Sequence, residues 1–137
     1  MSRPRIGMIG IVKEDLDSDF FGSLRRLSGI GYQGIELGAD AWERHERSPK
    51  AFGQRCSDLG MSLVTSHCTK HVYSEKGDGL IRRAVEMGAE HLCLSWGPTE
   101  SAEQISQDAE LYNEMGRICR EEGIVLTYHN HDHEFAV

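Results

Sequence analysis

The chain lacks most of the short signals that announce a function on their own. Its four cysteines, Cys56, Cys68, Cys93 and Cys119, never form a CxxC pair, so no zinc-ribbon spacing is present. A chain of this size needs no disulfide staples, and free, mostly buried thiols are expected. Positive charge is scarce. Fifteen Lys and Arg against 22 Asp and Glu leave a formal net charge of −7. That balance argues against a nucleic-acid surface, where phosphate neutralisation needs clustered cations. The pairs Arg25-Arg26 and Arg82-Arg83 fall in helical patterns and read as solvated faces. No apolar run approaches the roughly 18 residues of a membrane span. The stretch after Met1-Ser2-Arg3-Pro4-Arg5 is too short for a signal peptide. GxxxxGK[ST] is absent. GxGxxG is absent too, since Gly7 and Gly10 lie in or at the end of the first strand and no third glycine opens a helix. The expectation is a cytoplasmic protein with neither nucleic-acid nor membrane partners.

What is present is one domain's worth of sequence, residues 1–137, with 39% hydrophobic and 27% charged residues, ordinary for a globular core. Strand and helix patterns alternate. Arg5 to Val12 reads as a first strand. Asp17-Ser18-Asp19 offers cap chemistry before Phe20, Leu24, Leu27 and Ile30 at helical spacing, stopped by Gly31. Gly34 to Gly38 is a second strand. Ser48-Pro49 opens a helix that turns Phe52, Cys56 and Leu59 inward and ends at Gly60. Met61 to Cys68 is a third strand, followed by a Gly- and charge-rich loop from Ser74 to Gly79. A helix from Leu80 to Gly88 precedes a fourth strand, Ala89 to Trp96. Ser101 and Gln104 resemble a capping box, and the helix they open runs to Gly123. Ile124-Val125-Leu126 starts a fifth strand. Four such repeats predict a parallel sheet with right-handed crossovers, either doubly wound or barrel-like.

Polar residues recur at the C-terminal ends of these strands: Glu36, His67, Trp96 and His129. In a (β/α)₈ barrel that face carries the chemistry. The fifth strand runs into Thr127-Tyr128-His129-Asn130-His131-Asp132-His133-Glu134-Phe135, with histidines at alternate positions. Continued as a strand, it would point a row of imidazoles one way.

These strand ends resemble the xylose isomerase-like TIM-barrel superfamily, in its sugar phosphate isomerase/epimerase branch. The matching pieces are Gly31-Tyr32-Gln33-Gly34-Ile35-Glu36-Leu37, Ser66-His67-Cys68, Gly88-Ala89-Glu90-His91-Leu92 and Tyr128 to Phe135. The resemblance spans essentially the whole chain and fits strands two to five of that fold. It implies an α/β fold of about four and a half of the eight (β/α) units of a TIM barrel, a half-barrel. It also implies metal-assisted aldose–ketose isomerisation or epimerisation of a small sugar or polyol through an enediolate.

By that resemblance His129 stands at a metal-ligand position, where many members have Glu, and the ion would be Mn, Mg, Co or Zn. The remaining ligands come from strands six to eight, so impaired or absent activity is expected. A non-catalytic small-molecule-binding or assembly module is the alternative. Glu36 and His67 match positions that line the substrate pocket. Abasic-site endonucleases of the same superfamily fit poorly, because strand four ends Ser95-Trp96-Gly97-Pro98 without their His, and His129 stands where they use Glu.

Glu36 and Glu134 are therefore the candidate catalytic carboxylates. His67, Trp96 and His131 are candidate substrate contacts, and His129 is the candidate metal ligand. His133 is expected in a solvent-exposed loop, and His71 and Tyr73 in a mobile loop able to close over a ligand. His45 and His91 are given no role. Four and a half units would leave the edges of strands one and five open. A homodimer or higher even oligomer is expected, strand four or five of one copy meeting strand one of another.

Overall fold

In the computed structural model, five parallel strands alternate with helices. Residues 5–9, 12–98 and 100–135 are described. Gly10 and Ile11 of the expected first strand, and residues 1–4 of the stretch read as no signal peptide, lie outside them. The elements are β1 (Gly7–Ile9), α1 (Lys13–Ser18), α2 (Phe20–Gly29), β2 (Gly34–Gly38), α3 (Pro49–Asp58), β3 (Ser62–Cys68), α4 (Lys70–Lys76), α5 (Gly79–Glu86), β4 (His91–Ser95), α6 (Ala102–Glu121) and β5 (Val125–His129). Short 3₁₀ turns occupy Ala41–Arg44 and Asp132–Phe135.

Four of the helices, α2, α3, α4 and α6, start where a side-chain cap supplies an acceptor for the first free N–H groups. Asp19 accepts from the Gly22 N–H, Ser48 from Ala51 and Ser101 from Gln104. The expected capping box at Ser101 is half formed, because Gln104 Oε1 accepts from the Glu100 N–H, one residue earlier. The ends are more uniform still. Gly31, Gly60, Gly88 and Gly123 all take positive φ, between 76° and 108°. The residue after each glycine donates five residues back: Tyr32 to Leu27, Met61 to Cys56, Ala89 to Ala84 and Ile124 to Cys119. This is a Schellman-type stop, and a Cβ at the left-handed position would strain it.

The strand order is β1-β2-β3-β4-β5, with every neighbouring pair parallel, and the sheet is not closed. Between β2 and β3 the pairing steps from Ile35↔Leu63 to Glu36↔Thr65, leaving Val64 as the extra residue of a β-bulge. The sheet curls. Arg5, just before β1, reaches Glu90, just before β4, at 2.6 Å, although three strand spacings of about 4.8 Å would separate them in a flat sheet. The architecture is a half-barrel.

The core lies on the convex side, between sheet and helices, in two clusters. One gathers Leu24, Ile35, Phe52, Met61, Leu63 and Met87. The other gathers Leu80, Ile81, Leu92, Leu94, Met115 and Cys119. All four cysteines are free and buried. Two helices go beyond the sequence reading. The charged segment Lys13–Ser18 is helical, and so is Lys70–Lys76, where a loop for His71 and Tyr73 was expected. Tyr73 is buried with its hydroxyl donating to Asp78 at 2.8 Å, and Lys70 is ion-paired to Asp108 of α6. His71 is exposed, 3.4 Å from Glu75 of its own helix. The segment is anchored rather than free to close.

Candidate functional site

Strand alternation decides which side chains face the concave side. Ile35 and Leu37 of β2 join the helix-side core, so Glu36 between them points the other way. Leu92 and Leu94 of β4 do the same, which turns Cys93 inward. In β5, Tyr128 packs against Tyr112 of α6 at 5.5 Å between ring centroids, which leaves His129 on the concave side. Glu36, His67 and His129 thus meet near the C-terminal ends of β2, β3 and β5.

Their geometry is close. His67 Nε2 lies 3.1 Å from Glu36 Oε1, within ion-pair reach. The approach lacks hydrogen-bond alignment, and this buried nitrogen has no hydrogen-bond partner. The His67 and His129 rings stack at 5.6 Å and 24°, and His129 and His131 at 4.8 Å and 11°. His131 and His133 continue the stack at 5.7 Å. The row of imidazoles exists, but not because the strand continues. β5 ends at His129, and a 3₁₀ turn over Asp132–Phe135 carries the last histidine back toward β4. There His133 is half-buried, not solvent-exposed, with Nε2 3.1 Å from the Gly97 carbonyl.

Trp96 follows β4 with φ of 57°, an uncommon conformation for a bulky side chain, and is 62% exposed. Its ring meets His131 edge-on and His133 at a tilt, both at 5.0 Å. It stands at the mouth and not in the core. Glu134 is not among the concave-side groups. Its carboxylate accepts from the Tyr128 hydroxyl at 2.8 Å, on the helix side of β5, and lies 3.8 Å from His131 Nδ1. Burial pushes that carboxyl up, but the Tyr128 hydroxyl, the His131 N–H and the nearby imidazoles outweigh it and hold it below the ordinary range. His45, assigned to the surface from sequence, stacks on Phe20 at 4.3 Å. An aromatic neighbour so far along the chain leaves no periodic signal.

Burial lowers the pKa of His67. The Glu36 charge opposes the shift, while His129 and His131 reinforce it. His45 is lowered as well, by burial and by Arg44. Both groups are depressed below the ordinary 6.5. The unfolded chain therefore binds more protons than the folded one just below that pH, and stability falls as pH drops through the window. The depressed carboxylates Glu90, Glu114 and Glu134 lose their stabilisation only below their ordinary 4.5. The urea midpoint is expected to be lower at pH 5.5 than at pH 7.5. His67→Gln should flatten that slope, and an unchanged slope would contradict the assignment.

The metal expectation meets this geometry directly. Among the described residues no three His, Cys, Asp or Glu side chains converge to hold an ion, so the donor set does not fit a metal centre. No helix among the described residues is long and apolar enough to cross a membrane.

No protein-family model and no curated protein matches the chain. Solved structures do. A sugar phosphate isomerase/epimerase from Parabacteroides distasonis superposes with a TM-score of 0.77 at 22% identity, over 98% of this chain and 54% of that one. A xylose isomerase domain containing protein from Salmonella typhimurium gives 0.70 at 17% identity, over 93% and 50%. The IOLI protein, in a crystal structure with a zinc atom, gives 0.69 at 12% identity, over 91% and 51%. The chain spans about half the length of the structures it matches. At these identities the likeness concerns the fold: the chain is a half-barrel with the architecture of the xylose isomerase-like TIM barrels, a sugar phosphate isomerase/epimerase among them.

Proposed function

We propose that the chain is the carbohydrate-facing half of an isomerase/epimerase-type barrel, acting on a small sugar or polyol in the cytoplasm. One observation carries the reading: the Glu36 carboxylate lies 3.1 Å from the unpartnered Nε2 of His67, at the C-terminal ends of β2 and β3. A carboxylate beside a neutral imidazole suits proton abstraction α to a carbonyl. Glu36 takes the α-proton and returns it to the neighbouring carbon on the same face in isomerisation, whereas epimerisation requires a second acid on the opposite face of the enediolate, from outside this half. His67 holds the hydroxyl of the enediol. His129 and His131 extend the imidazole wall, and Trp96 offers an apolar face to the ring. A divalent ion (Mn, Mg, Co or Zn) belongs to the complete site by fold analogy, supported by the zinc of the IOLI structure. Turnover by this half alone is expected to be impaired.

The test is proton NMR of the chain with D-xylose, D-fructose, their phosphates and xylitol, in D₂O, with and without each ion. At least one compound is expected to shift the ring signals of His67 and His129, with slow deuterium entry at its α-carbon. Ring shifts without deuterium entry would make the chain a non-catalytic binding module. No shift with any compound at millimolar concentration would end the sugar reading.

A further inference from the structure

Trp96 stands between two spaces. Toward the row of imidazoles it meets His131 and His133, both at 5.0 Å between ring centroids. It also borders a separate cavity of about 350 Å³, walled by Thr69, Lys70, His71 and Ser74 after β3 and by Trp96, Gly97 and Pro98 after β4. Both walls follow the C-terminal ends of parallel strands, the end of the sheet that carries Glu36 and His67. The volume is at the low end of small-molecule pockets, about 300–1,000 Å³.

Three observations restrict what the cavity can take. The first is charge. Lys70 is ion-paired to Asp108, and His71 Nε2 lies 3.4 Å from Glu75, so both cationic side chains of the wall already have a carboxylate. An anion would have to displace one; a neutral group would not. The second is the indole itself, 62% exposed and held out of the core by a residue with φ of 57°. The third is the pair of hydroxyls. Thr69 Oγ1 accepts from the Val72 N–H at 3.2 Å and keeps its own proton to donate. Ser74 Oγ donates to the Lys70 carbonyl at 2.9 Å and keeps lone pairs to accept. An aromatic face beside hydroxyls, with no spare charge, matches a neutral sugar ring. The C–H face of such a ring covers the indole, and its hydroxyls reach the wall.

The cavity also lies beyond the reacting groups. From His67, beside Glu36, the ring-to-ring steps run 5.6 Å to His129, 4.8 Å to His131 and 5.0 Å to Trp96. A sugar whose reacting carbons sit at Glu36 leaves the space past Trp96 to whatever that sugar carries. We infer that this space is a second sugar subsite, and that the substrate is a disaccharide. Its reducing sugar reacts at Glu36 while its second, neutral ring stacks on Trp96. The inference rests on the sugar reading of the site and adds the substrate class to it: a glycosylated sugar, not a phosphorylated one.

The experiment titrates the 137-residue chain by proton NMR with D-xylose and xylobiose, with D-fructose and isomaltulose, and with D-fructose 6-phosphate. Isomaltulose and fructose 6-phosphate carry their substituents on the same oxygen, so they separate a neutral ring from an anion. In at least one pair the disaccharide is expected to bind about 10-fold more tightly than its monosaccharide, a difference of about 1.4 kcal/mol. Saturation transferred from the aromatic protons should reach both of its rings. Ser74→Leu, at an exposed position of α4, fills the cavity, and circular dichroism should show it folded. In that variant the ratio of the two affinities should fall toward one. The wild-type saturation pattern decides independently of the variant. Equal affinity within both pairs, saturation confined to the reducing ring, a ratio unmoved in folded Ser74→Leu, or a gain for the phosphate alone would each overturn the second subsite and leave the sugar reading standing. Binding by none of these compounds would end both.

Discussion

Gly53→Ala is expected to cost about 3 kcal/mol of stability, the upper end of ordinary overpacking. Helix propensity alone predicts the reverse, a gain of roughly 1 kcal/mol, because Gly53 lies inside α3. Packing decides the sign. A Cβ at Gly53 would stand 2.1 Å from the Met87 carbonyl oxygen and 2.6 Å from its carbon, both backbone atoms. Met87 caps α5, is buried, and leads through Gly88 directly into β4. Relief would need α3 to leave α5 or the entry to β4 to shift. Gly29→Ala is the control, since it also falls in a helix and its Cβ meets nothing within 4 Å. Urea midpoints should move in opposite directions for the two variants. An unharmed Gly53→Ala would mean that the α3–α5 contact is looser than described.

Glu36→Gln is the change with the largest expected effect on the site. Any α-proton exchange the chain supports should fall by about 100-fold or more, the low end for loss of a general base. A structural role alone could mimic that loss, so a second readout is needed. The Glu36 charge opposes the downward shift of the His67 pKa. Its removal should move the His67 ring titration further down, seen by proton NMR against pH. Glu36→Asp should restore the direction of that titration, and part of the exchange if the carboxylate still reaches. Unchanged exchange in Glu36→Gln would remove Glu36 from the chemistry. An unmoved His67 titration would mean that the two groups do not interact in solution.

Where an element depends on its own residues, the sequence showed it. Ser48, Asp19 and Ser101 cap the helices they were read to open, and each terminal glycine stands where a helix stops. β2 runs over the same residues, Gly34 to Gly38, as the apolar pattern indicates. Elements held by distant partners were harder to read. α4 has only Val72 and Tyr73 to mark a face, and its anchors, Asp78 and Asp108, lie in later elements. Its cap, Thr69 accepting from the Val72 N–H, was a usable signal, masked by the surrounding charge. The histidine segment shows the same division. Alternation placed His129 on the concave side with Glu36 and His67, but the 3₁₀ turn after Asn130 is local backbone that a two-residue period does not describe. Glu134 shares that segment and sits beneath Tyr128, a pairing visible only once β5 and α6 are packed.

The four matching helix stops bear on how such a chain can change over evolutionary time. Each glycine closes one helix with the same backbone bonds and releases the next strand two or three residues later, at Gly34, Ser62, His91 and Val125. The stop is built from main chain and one missing side chain, so its form does not depend on the neighbouring sequence. Recombination with breakpoints just after these glycines would deliver whole strand–helix modules with their ends intact. A breakpoint inside a helix would separate it from the residue that ends it. Exchanged modules would keep their helix stops, but contacts between modules, such as Gly53 of α3 against the Met87 carbonyl, would still have to match.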